Sequence, residues 1–170
     1  MIFNLFRKSP ALDAAFEAYS AIVAQSRQEK FYAEWGVPDT VTGRFDMISL
    51  HLSLVLRRLK GEPRAKDFGQ ALVDLFFRDM DRSLRELGVT DLGVPNKVKK
   101  MGNVFYGLMG VLGEALDSGN AGNVESVLTR NVYGGDNPHA AALAAYLIDE
   151  AHRLAAQSVE TVTHSAGAAA

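Results

Sequence analysis

The sequence predicts an all-α protein, a single-domain bundle of about six helices around one buried central helix. Three observations predict this fold class. The chain has 170 residues, the length of one domain. Apolar residues recur at the three- and four-residue spacing of a helix face, and no run alternates as a β-strand does. The composition, 48% apolar and 22% charged, is that of an ordinary globular protein.

The first predicted helix begins at Ser9-Pro10, because serine caps free N–H groups and a proline in the first turn has no N–H to leave unpaired. Helical spacing predicts that its buried face consists of Leu12, Phe16, Tyr19, Ile22, Val23 and Ser26. A further short helical segment covers residues 31–35. Residues 36–40 end it, since the residue before Pro38 disfavours the helical conformation.

The central helix is predicted over residues 43–60. Phe45, Ile48 and Leu52 belong to one apolar stripe, and Met47 and Leu50 belong to a second stripe beside it. A helix that is apolar around most of its circumference is buried. Gly61 and Pro63 end this helix.

Four more helices complete the prediction. Their approximate limits are residues 64–87, 95–116, 122–133 and 137–159. The apolar positions of the third helix, from Phe68 to Leu84, face inward, while its other face is densely charged. The predicted organisation is therefore an apolar and basic N-terminal tip (1–8), a helical domain (9–160) and a disordered tail (161–170).

The predicted fourth helix contains Gly102, Gly107, Gly110 and Gly113. Each glycine costs a helix about 0.8–1.0 kcal/mol relative to alanine, so an offsetting interaction is expected. One interpretation is close backbone packing against a neighbouring helix. The other is a groove on the surface that receives a ligand or a partner helix.

Charge and cysteine content exclude several classes of protein. The chain has no cysteine, which excludes disulfides and thiol chemistry. Its longest uncharged stretch, residues 101–113, is too short to cross a bilayer. Residues 57–100 carry eleven Lys/Arg against seven Asp/Glu in a chain of net charge −2, which favours a local anionic contact over nucleic-acid binding. We expect a cytoplasmic protein, and the tip (1–8) predicts peripheral contact with the cytoplasmic face of the inner membrane.

No set of residues predicts catalysis, a metal site or a bound cofactor. His51 lies between the two apolar stripes of the central helix, and we interpret it as a hydrogen-bonded structural histidine rather than a ligand. The charged run Arg78–Glu86 is a solvated face of ion pairs, a structural network with Asp46 or Arg57/Arg58, or a polar rim around a binding surface. The residues assigned to a structural network are Arg44, Asp46, His51, Arg57 and Arg58.

Several short motifs follow one another between Phe31 and Tyr133. They are Val37-Pro-Asp-Thr40, Gly43-Arg-Phe-Asp-Met47, His51, Leu56-Arg-Arg-Leu59, Phe76-Phe-Arg-Asp-Met-Asp-Arg-Ser-Leu-Arg-Glu-Leu-Gly88, Lys97-Val-Lys-Lys-Met101, Phe105-Tyr-Gly107 and Arg130-Asn-Val-Tyr133. In this order they resemble the ubiquinol–cytochrome c chaperone family. Without a long N-terminal extension, the sequence is similar to a bacterial member.

The resemblance implies an assembly factor for the cytochrome bc1 complex, without catalytic residues or cofactor. It implies cytochrome b as the client, held until haem is inserted and later subunits join. Mitochondrial members work with a small partner protein at the ribosomal exit, so the ribosome is a further implied partner. The main alternative is a helical carrier of a small apolar ligand such as a quinone or a lipid.

We expect the client to bind in a groove lined by Phe, Met and Leu, between the glycine-bearing fourth helix and the central helix. Charged residues would lie near its edge. The predicted client-binding residues are Phe31, Tyr32, Trp35, Arg78, Asp79, Asp81, Arg82, Lys97, Lys99, Lys100, Phe105 and Tyr106. The aromatic residues of segment 31–35 have an alternative interpretation as a lid over the core.

Overall fold

The computed structural model describes residues 10–165, and this part of the chain is helical without a β-strand. Its α-helices are α1 (Pro10–Ser26), α2 (Glu29–Ala33), α3 (Val41–Leu59), α4 (Lys66–Glu86), α5 (Val94–Asp117), α6 (Ala121–Leu128), α7 (Ala140–Ala155) and α8 (Val159–Ser165). A 3₁₀ turn, Pro63–Ala65, precedes α4, and a π-helical turn, Thr129–Tyr133, continues α6. The predicted all-α bundle is confirmed.

Helix α3 is the central helix, as predicted. Most of its residues are buried, and α1, α4, α5 and α7 all pack against it. Its N-terminus is capped by Thr40, whose side chain accepts a hydrogen bond from the Gly43 N–H at 3.1 Å. A Cβ at Gly43 would lie 1.9 Å from the Pro38 carbonyl oxygen, so only glycine lets the preceding loop approach the helix this closely.

The predicted buried face of α1 is wrong for its first two turns. Leu12 and Phe16 are 42% and 59% exposed, whereas Ala15 and Ala18 are buried. The two alanines let the backbone of α1 approach its neighbours closely, and this rotates the longer apolar side chains outward. From Tyr19 onward the helix buries the face that its spacing predicted.

Helices α4 and α5 pack against each other through aromatic rings. The rings of Phe76 and Phe105 have centroids 5.0 Å apart in the core. Gly102 allows this packing, because a Cβ there would meet the ring of Phe77 at 2.7 Å. Close backbone packing therefore accounts for one of the four glycines of α5.

The C-terminal part of α6 holds the loop before α3 in place. Its π-helical turn ends at Gly134, which has a φ of 67°, and Tyr133 donates a hydrogen bond to the Trp35 carbonyl oxygen at 2.8 Å. Burial raises the pKa of Tyr133 to about 12, so the phenol keeps the proton that it donates.

The end of the chain differs from the predicted tail. Residues 159–165 form α8, and Val162 is fully buried in the core, so the helical domain continues past residue 160. Val159 and Val162 are the only apolar residues of α8, and two positions are too few to establish a helical periodicity, which is why spacing did not predict α8. The predicted tip (1–8) and residues 166–170 lie outside the described residues.

Candidate functional site

The outer face of α5 is apolar and uncovered. Val104 and Tyr106 are 58% and 49% exposed, and Val111 is also exposed. These three side chains alternate with glycines on a helix stretch that carries no charge from 101 to 113. We call this surface, formed by Val104, Tyr106, Gly107, Gly110, Val111 and Gly113, the α5 outer face. It covers about half of the helix circumference, with the two valines at one edge and Tyr106 and Gly113 at the other.

The three glycines of the α5 outer face have open space on the side where a side chain would project. A Cβ built at Gly107, Gly110 or Gly113 has no atom within 4 Å besides its own helix, in contrast to Gly102. Packing within the fold therefore does not offset their conformational cost. The groove interpretation, which the sequence left open, is the one that their geometry fits.

A groove of about 640 Å³ runs beside the α5 outer face, between α4, α5 and the end of α3. Its apolar lining includes Leu56, Val73, Tyr106 and Met109, with Gly110 and Gly113 on its floor. The predicted groove between the glycine-bearing helix and the central helix is present, and α4 supplies its second wall. This volume lies within the range of about 300–1,000 Å³ that is typical of binding pockets.

The predicted lysines lie toward the N-terminal end of this surface. Lys97, Lys99 and Lys100 are exposed in the first two turns of α5 and do not line the groove. Lys99 is seven residues before Tyr106, so helical geometry places the two on the same face. The distance along the helix axis is about 10 Å at 1.5 Å per residue.

The charged run of α4 forms local ion pairs. Asp79 accepts hydrogen bonds from Arg82 at 2.7 Å and from the hydroxyl of Tyr19 at 2.8 Å, which ties α4 to α1. Asp81 pairs with Arg85. Arg78 is exposed and, within residues 10–165, has no ion-pair partner.

The structural-network residues do not join that charged run. Arg57 pairs with Asp117 at 2.6 Å. Arg58 donates to the carbonyl oxygens of Leu154 and Gln157 at the end of α7. The recorded contacts of these arginines do not fit the alternative of a network with the charged run, because Arg57 pairs at the end of α5 and Arg58 at the end of α7.

Arg44 and Asp46 lie near the start of α3 and also stay apart from the charged run. Arg44 forms an exposed pair with Asp39 at 2.8 Å. Asp46 is half-buried, and burial raises the pKa of its carboxyl group to about 7. Among the described residues the structure records no hydrogen bond or ion pair to it.

His51 is the centre of a buried polar network between α1, α3 and α7. Its Nδ1 lies 2.8 Å from the Met47 carbonyl oxygen and 3.1 Å from the Ser26 hydroxyl, and its Nε2 lies 2.8 Å from the Tyr146 hydroxyl. Burial lowers the pKa of His51, which keeps the imidazole neutral. The Tyr146 hydroxyl in turn accepts a hydrogen bond from Gln25. The geometry is that of a structural histidine.

The aromatic residues of segment 31–35 close this network from the side. Phe31 is fully buried, with its ring centroid 5.0 Å from that of Tyr146. Trp35 packs half-buried against both rings. Tyr32 donates to the Ser26 carbonyl oxygen and borders a polar depression with Arg44. The arrangement matches the alternative interpretation of these residues as a lid over the core.

Two predicted client-binding residues, Phe31 and Phe105, do not lie on the surface. Both side chains are at most 1% exposed and pack within the aromatic core. The periodicity of α5 already predicted an inward Phe105, and that prediction is the correct one. Its neighbour Tyr106 is the aromatic residue of this motif that faces outward.

Comparison with known proteins identifies the family. Residues 33–167 match the sequence profile of the Ubiquinol-cytochrome C chaperone family. The chain belongs to this family. The matched segment runs from the end of α2 through α8, so it contains the whole α5 outer face and leaves out α1.

A solved chaperone-family fold is closely similar. The crystal structure of the Cbp3 homolog from Brucella abortus superposes with a TM-score of 0.85 at 44% sequence identity, over 99% of this chain and 94% of that one. The Xenopus laevis ubiquinol-cytochrome-c reductase complex assembly factor 1 is 27% identical over 94 residues, which is 55% of this chain and 47% of that protein. The chain thus spans about half the length of this curated relative.

Sequence reasoning missed Val104 and Val111 as surface residues of this chaperone-family chain. The available signal was the spacing of positions 104, 107 and 111, which form one helix face within the uncharged run 101–113. That face borders the buried side of α5 that Phe105 and Leu108 form, so the run is apolar around more than half of the helix. Within the described residues, no helix is both long and apolar enough to be a candidate membrane span.

Proposed function

We propose that the protein is an assembly chaperone of the cytochrome bc1 complex that binds newly made cytochrome b on the α5 outer face. Family membership supports the assembly role, and the name of the Xenopus relative describes an assembly factor for the same complex. The observation that carries the location is the uncovered apolar surface of α5, with three glycines that nothing in the fold requires.

The chemistry of this surface suits a segment of a membrane protein. A client that is destined for the bilayer presents apolar helices before it is inserted, and an apolar helix can lie in an apolar groove. Small residues let two helix backbones approach closely, which is how glycines act at interfaces between membrane helices. Gly107, Gly110 and Gly113 would receive the client backbone, while Tyr106 and Met109 pack along its side.

The charged residues near the site would hold the polar ends of the client segment. Lys97, Lys99 and Lys100 lie at one end of the α5 outer face, and Arg78 has no ion pair among the described residues. Asp79, Asp81 and Arg82 are near neighbours of Arg78 on α4, and each already takes part in an ion pair on that helix. These groups add orientation rather than affinity, because exposed charges interact weakly in water.

In this proposal the protein acts by reversible binding and catalyses no reaction. It works at the cytoplasmic face of the inner membrane, where the client is inserted. Contact with the ribosome would place the protein where the client is synthesised. The family relation supports this setting. Bilayer contact by the N-terminal tip remains a proposal about residues that the structure does not describe.

Site-specific photo-crosslinking tests the proposed surface. A photoreactive residue at position 104 or 106 should capture cytochrome b in growing cells, whereas the same residue at Asp149, exposed on acidic α7, should not. Positions 104 and 106 are both exposed, so a photoreactive residue at either position does not disturb the core. Capture from position 149 alone would contradict the proposal.

A matched pair of variants links this surface to assembly. Val104→Asp should abolish capture from position 106 and reduce the bc1 haem absorbance of membranes. Phe16→Asp, an equally exposed apolar site on α1, should leave both unchanged. If both variants reduced capture and haem absorbance equally, the loss would come from any charge added to the surface. The assignment of client binding to the α5 outer face would then be refuted.

The alternative of a carrier for a quinone or lipid receives no support from the α5 glycines. A carrier would enclose an apolar ligand, and these glycines face outward. Native mass spectrometry of the purified protein separates the two functions, since a co-purifying isoprenoid would favour the carrier.

A further inference from the structure

A second cavity lies on the other side of α3, away from the α5 outer face. It has a volume of about 570 Å³ and is bounded by α3, the α5–α6 corner and α7. Its deepest lining residues, Leu54 and Val124, are almost fully buried, and Ile148 and Ala151 continue the apolar wall along α7. The volume lies within the range of small-molecule sites, and the apolar wall is accompanied by polar lining residues.

The charged groups that line this cavity are all cationic or can become so. They are Arg57, Arg58 and His152, and no carboxylate lines the cavity among the described residues. The nearest acidic partners lie elsewhere: Asp117 lines the α4–α5 groove, and Glu62 approaches Arg58 at 3.7 Å without lining either. Both arginines belong to the basic segment 57–100 of a chain whose net charge is −2.

The two arginines have different roles there. Arg58 uses its Nε and one terminal nitrogen on carbonyl oxygens of α7, so it fixes the end of that helix. Arg57 pairs one terminal nitrogen with Asp117, and among residues 10–165 no other hydrogen bond of its guanidinium is recorded. The ring of His152 has no hydrogen-bond partner among the described residues. Arg57 and His152 are thus the available donors beside an apolar cavity.

We propose that this cavity binds an amphiphile with an apolar chain and a single anionic head group, a carboxylate or a phosphate. The chain occupies the cavity between Leu54, Val124 and Ile148, and the head group receives hydrogen bonds from Arg57 and His152. The N-terminus of α6, at Asn120–Ala121, adds favourable potential for an anion. Arg57 also lines the groove beside the α5 outer face, but no other described residue lines both, so this proposal does not depend on client binding.

Calorimetric titration with chosen probes tests the head group and the chain separately. Dodecanoate and dodecyl phosphate, each below its micelle concentration, should bind, and dodecyltrimethylammonium should bind at least about tenfold more weakly, as expected for a charge-assisted contact. Inorganic phosphate alone should not bind measurably, because the chain supplies most of the affinity. Equal affinities of the anionic and cationic amphiphiles would overturn the proposal.

Variants locate the site. Arg57→Gln should weaken dodecanoate binding by about tenfold, and Arg57→Lys should largely restore it. Asp117→Asn breaks the same ion pair but keeps the arginine, so it should bind dodecanoate at least as well as the wild type. A loss of affinity in Asp117→Asn equal to that in Arg57→Gln would refute a direct contact.

Filling the cavity provides the second location test. Ala155→Leu, at an exposed position of the lining, should abolish dodecanoate binding, while Ala145→Leu on the same helix outside the lining should not. Gly110→Leu, which blocks the α4–α5 groove, should leave binding unchanged. If Gly110→Leu lost dodecanoate binding and Ala155→Leu kept it, the amphiphile would bind in the groove beside the α5 outer face. The assignment to this cavity would then be overturned.

Discussion

The interior around His51 and the α5 outer face depart from the usual burial pattern in opposite ways. Each contains residues that break the simple rule of apolar inside and polar outside. In the interior, a polar imidazole is buried, and every ring nitrogen has a partner. On α5, apolar side chains and glycines lie at the surface with nothing packed on them.

The difference separates stability from binding. A buried polar group that is fully hydrogen-bonded fixes one arrangement of the helices around it. An exposed apolar patch contributes nothing to folding, and such patches mark interaction sites in soluble domains. Variants in the interior should therefore change the free energy of unfolding, whereas variants on the α5 outer face should change client capture.

The largest expected effect comes from His51→Ala. It removes a buried ring and the hydrogen bonds that its nitrogens form with the Tyr146 hydroxyl and the Met47 carbonyl, so the free energy of unfolding should fall by about 4 kcal/mol. Urea unfolding measures it. His139→Ala, at an exposed histidine, is the control and should change stability by less than about 0.5 kcal/mol. A small loss at position 51 would show that the network does not stabilise the fold.

The second prediction is a gain in the free energy of unfolding rather than a loss. Replacing Gly107, Gly110 and Gly113 together by alanine should raise the free energy of unfolding by about 2–3 kcal/mol, because each alanine favours the helix and meets no neighbouring atom. The same variant should lose crosslinking to cytochrome b from position 106, since the added methyl groups hold the client backbone away.

Gly102→Ala is the matched control for the triple variant. Its Cβ would meet the Phe77 ring at 2.7 Å, so this variant should lose about 1 kcal/mol instead of gaining stability. If all four glycines responded alike, the distinction between the packed glycine and the open ones would fail.

Helical periodicity was sufficient to predict the fold. The two apolar stripes of α3 predicted a buried central helix, and Pro38, Gly61 and Pro95 predicted where helices end or begin. Periodicity failed where burial depends on how closely two backbones approach. Phe16 has the spacing of a core residue, yet the small Ala15 and Ala18 face the core in its place.

The candidate site was predictable only in part. Four glycines in one helix indicated an interaction, but the sequence does not say which of them a neighbouring ring occupies, because that depends on Phe77 of another helix. The same limit applies to the aromatic pair Phe105-Tyr106. The residues are adjacent, and only the packing of α5 against α4 separates the core ring from the exposed one.

Asp46 provides a pH-dependent test of the interior. Its carboxyl group is half-buried, and no hydrogen bond or ion pair to it is recorded among the described residues. Its pKa is raised from 3.8 to about 7, so between these values the unfolded chain has released a proton that the folded chain still holds. Stability should therefore fall as the pH rises from about 4 to 7. Asp46→Asn should remove this dependence and be more stable than the wild type by about 2 kcal/mol at pH 8, measured by urea unfolding. If the free energy of unfolding of the wild type and of Asp46→Asn changed in parallel with pH, the raised pKa of Asp46 would be contradicted.

The smallest effect compares one hydroxyl group in each region. The Tyr19 hydroxyl donates to Asp79 at 2.8 Å between α1 and α4, and burial with this contact raises its pKa, so it is a donor at any physiological pH. Tyr19→Phe should cost about 1 kcal/mol, the net value of one such hydrogen bond. The Tyr106 hydroxyl has no recorded partner among the described residues, and Tyr106→Phe should stay within about 0.5 kcal/mol of the wild type. Because both changes remove a single oxygen, any difference between them reports the partner alone. Equal losses would mean that the α5 outer face is packed within the fold and not open to a client.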